Sequence, residues 1–417
     1  MPVYTSQRAS AWPKVSTGIV LSGGGARGAY EAGVLAGIME VLQPKRAPFD
    51  VLCGTSVGAL NAAYLASHAH FPDMNAPGLI SQWQSLELNR HLKLDMRGLL
   101  GWKRNYTASK LADVVTARSS GPNSYAGRSI LHTGAIDELV EQAVLWDRLH
   151  QNVQSGLVRA LIVAALHIGT GRTTLFAEMP RGVEFKGGRD PRRTPIVGPL
   201  GAEHILASAA IPLLFPARRV GNDYYCDGGM RFNTPIAPAI RAGAQRLVVI
   251  SPLSESAEAN ANAPLERSLA AYRSPIFLIG KVLNALLLDP LNYDLQVLDR
   301  FNRLLETLEF ALTPEEMLRV NRVLEESRGL AYRKVDTLVF RPSRDIGLMA
   351  RERAKDLKAS MFSSWFLART ATLGTLWESD LLSFLLFDAE FAHELVQMGR
   401  SDTTRRADEI RKFFAKG

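Results

Sequence analysis

A serine at position 56 lies at the centre of Gly54-Thr55-Ser56-Val57-Gly58, between the apolar run Phe49 to Cys53 and the alanine-rich stretch Ala59 to Ala69. A serine on a sharp strand-to-helix turn presents its Oγ in a strained conformation, and glycines are needed where a Cβ would strike the neighbouring strand or helix. The helix N-terminus behind it favours developing negative charge. The five-residue pattern alone recurs by chance in a glycine-rich chain; its strand and helix flanks are what make it a candidate nucleophile elbow. Upstream, Ser22-Gly23-Gly24-Gly25-Ala26-Arg27-Gly28 also follows a strand and opens a helix. Through Gly23, Gly25 and Gly28 it matches the dinucleotide fingerprint, but that fold wants an acidic residue at the end of its second strand. Here Asp50 begins that strand, which ends in Gly-Thr-Ser. The other reading is that adjacent glycines expose backbone N–H groups to an oxyanion, with a helix dipole behind them.

Serine needs a base to become a nucleophile. The chain has eight histidines, and the order Ser56, Asp227, His393 would follow an α/β-hydrolase triad. His393, however, lies mid-helix in Phe391-Ala392-His393-Glu394. Asp227 stands at a strand end, before Gly228 and Gly229, which allow close backbone approach. A carboxylate in a partly desolvated cleft can take the serine proton directly if burial raises its pKa. Read alone, Asp-Gly-Gly is also an ordinary turn.

The elements around these residues set the fold class. Gly18 to Leu21 is β-compatible, Ser22 to Gly28 turns, and Ala29 to Leu42 carries helical apolar spacing until Pro44 stops it. With the elbow unit directly behind, two strand-helix units imply parallel strands and a layered α/β sandwich. Both turns then emerge at the carboxyl edge of the sheet, where open α/β folds bind ligands. His70 to Gln154 reads as an insertion carrying short helices over the site. Leu157 to His167 and Thr173 to Ala177 read as a hairpin, and Gly187 to Pro195, rich in charge and proline, as a loop. Strands follow at Ala217 to Val220, Tyr224 to Cys226, Arg246 to Ser251 and Asp336 to Phe340, with helices at Ile276 to Phe310 and Pro314 to Ser327. The expected organisation is an N-terminal arm over 1–16, a catalytic domain over 17–344 and a C-terminal helical extension over 345–417. The catalytic domain would hold the insertion at about 70–154 and a helical segment at about 265–330.

With 417 residues, 47% of them hydrophobic and 22% charged, the chain can bury a sizeable core. Its formal net charge of +8 suits anionic partners. No dense basic helix interleaved with aromatics and no zinc-finger or RNA-binding motif is present, so no nucleic-acid partner is expected. Only Cys53 and Cys226 are present, which gives no disulfide framework and suits a reducing compartment. Met1 to Gly18 lacks the apolar core of a secretory signal, and the most lipid-like run, Ile276 to Leu288, is shorter than the ~20 apolar residues that span a bilayer. The expectation is a cytoplasmic protein, peripheral at a membrane surface. Ile276 to Leu288, Trp377 to Phe387 and the basic Arg405, Arg406, Arg411 and Lys412 would meet the lipid. Both apolar runs equally suit packing on the core.

Taken in order, Gly23-Gly24-Gly25-Ala26-Arg27-Gly28, Gly54-Thr55-Ser56-Val57-Gly58 and Asp227-Gly228-Gly229 resemble the bacterial-type patatin-like phospholipases. Ala207-Ser208-Ala209-Ala210-Ile211-Pro212, Asn233-Thr234-Pro235 and Asp289 to Leu305 extend the similarity, which covers about Thr17 to Arg344. The resemblance implies a three-layer α/β/α sandwich with a mostly parallel central sheet, to which this chain adds its C-terminal helical extension. It implies a Ser/Asp dyad without histidine, with Ser56 as nucleophile and Asp227 as base. The backbone of Gly23, Gly24, Gly25, Ala26, Arg27 and Gly28 would supply the oxyanion hole, and Gly54, Gly58, Gly228 and Gly229 would support the elbow and the base. No metal or cofactor is implied. The implied activity is hydrolysis of fatty-acyl esters of phospholipids or lysophospholipids through an acyl-enzyme. A neutral-lipid lipase, thioesterase or acyltransferase would use the same dyad, as would a lipase effector gated by an activating ligand or protein.

Overall fold

Strands buried on both faces read as continuous apolar runs, and several such runs make the centre of this fold. The computed structural model describes residues 15–87, 93–94, 125–126, 131–132, 134–183, 185, 190–212, 214–254, 290–328, 333–356 and 378–415. Its strands are β1 (Thr17–Leu21), β2 (Val51–Thr55), β3 (Lys93–Leu94), β4 (Tyr125–Ala126), β5 (Leu131–His132), β6 (Ala160–His167), β7 (Thr173–Glu178), β8 (Arg193–Val197), β9 (Ala217–Val220), β10 (Asp223–Asp227), β11 (Arg246–Ile250) and β12 (Asp336–Phe340). The main sheet runs β12-β11-β1-β2-β6-β10-β9-β4, with β7 and β8 attached to β6. From β12 to β6 every pairing is parallel. Beyond β6 the pairings are antiparallel, apart from β7 with β8.

Side chains alternate across this sheet with the period of two that strands impose. Ile19, Leu21 and Leu52 join one core, while Val20, Val51, Cys53 and Val249 join the other. Helices cover both faces. They are α1 (Gly28–Leu42), α2 (Val57–Ser67), α3 (Ala76–Gln84), α4 (Gly134–Ala143), α5 (Trp146–Ser155), α6 (Ala202–Ser208), the single turn α7 (Gly229–Phe232), α8 (Ile236–Arg241), α9 (Pro290–Ala311), α10 (Pro314–Arg328), α11 (Ile346–Asp356), α12 (Glu378–Leu385), α13 (Ala389–Arg405) and α14 (Ala407–Ala415). α1, α2 and α13 pack on the first face, and α8 and α9 on the second. The result is a three-layer α/β/α sandwich on a mostly parallel sheet, followed by C-terminal helices. Among the described residues no helix is long and apolar enough to cross a membrane.

α13 lies against α1 at backbone distance. A Cβ on Gly33 would overlap the carbonyl of Val396, and one on Gly37 would overlap the side chain of Thr403. Tyr30 Oη donates to Asp402 Oδ2 at 3.1 Å, and Arg400 pairs with Glu40 at 2.6 Å across the same contact. The sequence expectation of a loop over Gly187 to Pro195 needs correction, because Arg193 begins β8. Pro195 conceals the strand in the sequence, yet an edge strand tolerates a proline, and the open edge of β7 supplies its pairing partner. The helix expected from Ile276 is described from Pro290 onward; Ile276 to Leu288 lies outside the described residues.

Candidate active site

Strand β6 decides where the serine and the carboxylate meet. One of its edges is taken by β7, from Leu161 opposite Glu178 to Leu166 opposite Thr173. The other edge is divided between two strands. β2 runs parallel along it until Thr55 lies opposite Ala164, and β10 runs antiparallel until Asp227 lies opposite Ala165. The two strands therefore approach along one edge and end tip to tip. Ser56 is the next residue after β2, so hydroxyl and carboxyl converge although their segments are far apart in sequence.

Ser56 adopts φ 56° and ψ −128°, a region that side-chain-bearing residues avoid and that costs about 1–3 kcal/mol where it persists. Its N–H donates to Ser208 Oγ at 2.8 Å, and Ser208 Oγ donates onward to the Ala164 carbonyl at 2.6 Å. The Ser56 carbonyl accepts from Ala59 N–H at 2.9 Å. A Cβ on Gly54 would overlap the carbonyl of Gly58, and one on Gly58 the carbonyl of Leu21, so both glycines are required by contact. The turn is thus over-determined on every side, as strain at a functional site demands.

Asp227 is fully buried. Its N–H donates to the Ala210 carbonyl at 2.9 Å, and Oδ1 accepts from Gly229 N–H at 2.7 Å. Gly228 allows the β10 end to press on β6, since a Cβ there would overlap the Ala164 carbonyl. Burial pushes the carboxyl from 3.8 up to about 7, against the opposing pull of the Ser56 hydroxyl and Gly229 N–H. The serine hydroxyl is near enough to favour the carboxylate, and among the described residues Oδ2 has no partner within hydrogen-bond geometry. Catalytic contacts of this kind tighten when substrate binds. A carboxyl poised near neutrality beside a hydroxyl can act as general base and then as general acid.

The glycine loop is pinned from α7 and its exit. Gly23 N–H donates to Asn233 Oδ1 at 2.9 Å, Asn233 Nδ2 donates back to the Gly23 carbonyl at 3.2 Å, and Ser22 Oγ meets Thr234 Oγ1 at 3.1 Å. Arg27 N–H is taken by the Gly24 carbonyl at 3.2 Å, and Gly28 N–H by the carbonyls of the turn before it. Of the six residues expected to form an oxyanion hole, Gly23, Arg27 and Gly28 therefore have their N–H groups engaged by the fold. Gly25, at φ +57°, faces the same cavity as Ser56. Arg27 is buried; its Nε donates to Ser383 Oγ at 2.8 Å and its guanidinium lies 4.5 Å over the Phe384 ring. That arginine joins the loop to α12. Asn233→Ala should lower kcat about tenfold to a hundredfold, less than loss of an oxyanion donor itself, with KM little changed; steady-state kinetics on a soluble ester checks it.

A cavity of about 90 Å³ opens beside Ser56. Leu60, Trp83 and Leu86 from the α2–α3 region, Ile136 from α4, and Phe384 and Phe387 from the C-terminal part make it apolar. Below it Trp83 Nε1 donates to Asn61 Oδ1 at 3.0 Å and Asn61 Nδ2 donates to Glu31 Oε2 at 2.8 Å. Burial pushes the Glu31 carboxyl well above its ordinary value, against the pull of the Asn61 side chain. No histidine is among the described residues of the lining. His393 instead meets Gln84 Nε2 at 2.9 Å on the exposed surface, so the order Ser56, Asp227, His393 is not assembled. Cys53 and Cys226 are buried thiols whose pKa values burial raises, that of Cys226 to about 12, which leaves them inert.

Residues 19–240 match the family model described as patatin-like phospholipase. The chain is 27% identical over 272 residues to a protein named cGAMP-activated phospholipase from Pseudomonas aeruginosa, a match that covers 62% of this chain and 69% of that protein. A shorter match, 44% identical over 62 residues, is to lysophospholipase NTE1 of Chaetomium globosum and covers 15% of this chain but 4% of that protein. Among solved structures, VipD from Legionella pneumophila aligns at a TM-score of 0.30 and 15% identity over 66% of this chain and 56% of that one. So loose an alignment adds nothing to the fold described above.

Proposed function

The chain belongs to the patatin-like phospholipase family, and we propose that it is a serine acyl hydrolase cleaving fatty-acyl esters of phospholipids or lysophospholipids through Ser56 and Asp227. The observation that carries this reading is the tip-to-tip meeting of β2 and β10 on β6, which sets a strained serine beside a carboxyl titrating near 7. Ser56 Oγ attacks the ester carbonyl while Asp227 Oδ2 takes its proton. Backbone N–H groups of Gly24, Gly25 and Ala26 hold the oxyanion. Collapse of the tetrahedral intermediate breaks the ester C–O bond, and Asp227 returns the proton to the departing alcohol. Asp227 then draws a proton from water, which attacks the acyl-enzyme; as the C–O bond to Ser56 breaks and the fatty acid leaves, Asp227 returns that proton to Ser56 Oγ. The apolar cavity suits the acyl chain.

Gating by a ligand is a second reading, favoured by one observation: Ser56 is only 3% exposed, behind α12 and the insertion helices. The relative named as activated by cGAMP lends it support. Peripheral membrane contact is part of the proposal as well. Arg405, Arg406 and Arg411 each pair with a carboxylate one turn away, Asp402, Glu409 and Asp408, so the C-terminal basic cluster offers a headgroup less charge than its sequence suggests.

The test is labelling with a fluorophosphonate probe alongside fatty-acid release from mixed phospholipid vesicles, comparing wild type with Ser56→Ala. Labelling and release should both vanish in the variant. Labelling that persists in Ser56→Ala would place the nucleophile elsewhere, and labelling without release from any lipid would remove phospholipids as substrate.

A further inference from the structure

The cavity beside Ser56 is too small for a fatty-acyl chain. Pockets that take small organic ligands begin at about 300 Å³, and an apolar cavity of about 150 Å³ holds one benzene ring. At about 90 Å³, the space next to the nucleophile has room for about four carbons. A longer acyl chain therefore needs a wall to give way. Among the described residues, the walls from α3, α4 and α6 are pinned by polar contacts. Trp83 of α3 donates Nε1 to Asn61 Oδ1 at 3.0 Å, and Asn61 Nδ2 donates to Glu31 Oε2 at 2.8 Å and to the Gly28 carbonyl at 3.2 Å. α4 is tied to β9 by a two-pronged ion pair, Arg218 Nη1 to Asp137 Oδ2 at 2.8 Å and Nη2 to Oδ1 at 2.5 Å, with the arginine buried. α6 is fixed through Ser208, which bridges Ser56 and Ala164. Breaking such contacts strands a buried polar or charged group, which is costly.

The wall from α12 is of another kind, and it lies outside the residues 19–240 matched by the family model. Asp388 caps α13 by accepting from Phe391 N–H at 3.0 Å, and α13 is seated on α1, so the chain just before that cap is carried to the site. There Phe384 and Phe387 line the cavity. The Phe384 carbonyl lies where a Cβ on Gly25 would stand, and the Phe387 ring is nearly parallel to Trp83, with centroids 6.4 Å apart. Ser383 Oγ accepts from Arg27 Nε at 2.8 Å; the other described side chains of α12, Leu382, Phe384 and Leu385, are apolar and buried. Apolar contacts can be remade against an acyl chain, because one apolar surface then replaces another.

We propose that Phe384 and Phe387 are specificity-determining residues that set the acyl length this site accepts. With both rings seated, an acyl group of up to about four carbons reaches Ser56 unhindered, and a longer one enters only by displacing them. The inference rests on the reading of Ser56 as nucleophile and of this cavity as its acyl site. Each methylene that finds a buried place adds about fourfold to kcat/KM. One that meets a ring forfeits that gain together with the contacts of the ring it displaces.

The test is hydrolysis of p-nitrophenyl acetate, butyrate and octanoate, each below its micelle concentration, by the full chain and by its Phe387→Ala and Phe384→Leu variants. In wild type kcat/KM should rise from acetate to butyrate and fall at least about tenfold from butyrate to octanoate. Phe387→Ala, at a half-buried position, should raise the octanoate-to-butyrate ratio at least about tenfold. Phe384→Leu, a milder change at a buried ring, should raise it by a smaller factor. The ratio within one variant is independent of how much of it is folded, and melting curves check both variants. A merely structural role would lower the rates on all three esters in proportion. The inference is overturned if wild type hydrolyses octanoate as readily as butyrate, or if the ratio is the same in wild type and both variants. Labelling of Ser56 by a fluorophosphonate probe separates the two readings. Label with a flat length profile overturns this inference alone, whereas absence of both label and hydrolysis overturns the hydrolase reading and this inference with it.

Discussion

Ser56→Gly is expected to abolish ester hydrolysis and at the same time raise the melting temperature. Removing the nucleophile of such a site costs at least about 10⁴-fold in rate. The gain in stability has a separate origin. Ser56 holds φ 56° and ψ −128°, which glycine adopts without steric penalty. Relief of about 1–3 kcal/mol of strain is opposed by the greater entropy of glycine in the unfolded chain, about 0.5–1 kcal/mol, so a net gain near 1 kcal/mol remains. Ser56→Ala is the control, because it removes the same hydroxyl but keeps the Cβ in the unfavourable region. Thermal melting of the pair, with kinetics on a soluble ester, separates the effects. A glycine variant that melts below the alanine variant would show that the turn stores no strain.

Asp227→Asn carries the other large effect, a loss of about 10³- to 10⁴-fold in kcat through removal of the general base, and its sign with pH can be worked out. The native carboxyl titrates near 7 because it is buried, against 3.8 for the unperturbed group. Hydrolysis by the wild type should therefore rise with pH through about 7 and then level. Stability runs the other way. Between about 4 and 7 the native state binds the proton that the unfolded state has released, so its stability falls across that window and the full penalty is present above pH 7. Asparagine carries no charge to desolvate and keeps an oxygen for Gly229 N–H. At pH 8 the variant should melt no lower than wild type, and at pH 4 the advantage should vanish. An Asn variant that retains half the wild-type rate would remove Asp227 from the chemistry.

What the sequence made legible is what local backbone constraint writes into it. Gly54 and Gly58 flank the serine because their own segment folds back on itself and on β1, and Asp227 closes a strand before a glycine that must touch β6. Ser208 and Asn233 were visible only as parts of similar stretches. Their work is long-range, Ser208 bridging Ser56 to Ala164 and Asn233 reaching Gly23, and no spacing within either stretch encodes those partners. β8 escaped for another reason: an exposed edge strand containing a proline has neither alternation nor an apolar run to betray it. Gly33, Gly37 and Gly399 likewise acquire meaning only when α13 lies on α1.

In the proposed reaction β6 acts as a ruler. Its free edge is filled from both ends by strands that carry one reactive group each, so the gap between hydroxyl and carboxyl is counted out in its residues, Ala164 and Ala165. One extra residue there would slide Asp227 about 3.3 Å away and turn it to the opposite face of the sheet. Strand length here is a catalytic variable. The loops that feed β6, β2 and β10 are free to lengthen and diversify around the site, whereas a single insertion inside the ruler would disarm the enzyme with every reactive residue still in place.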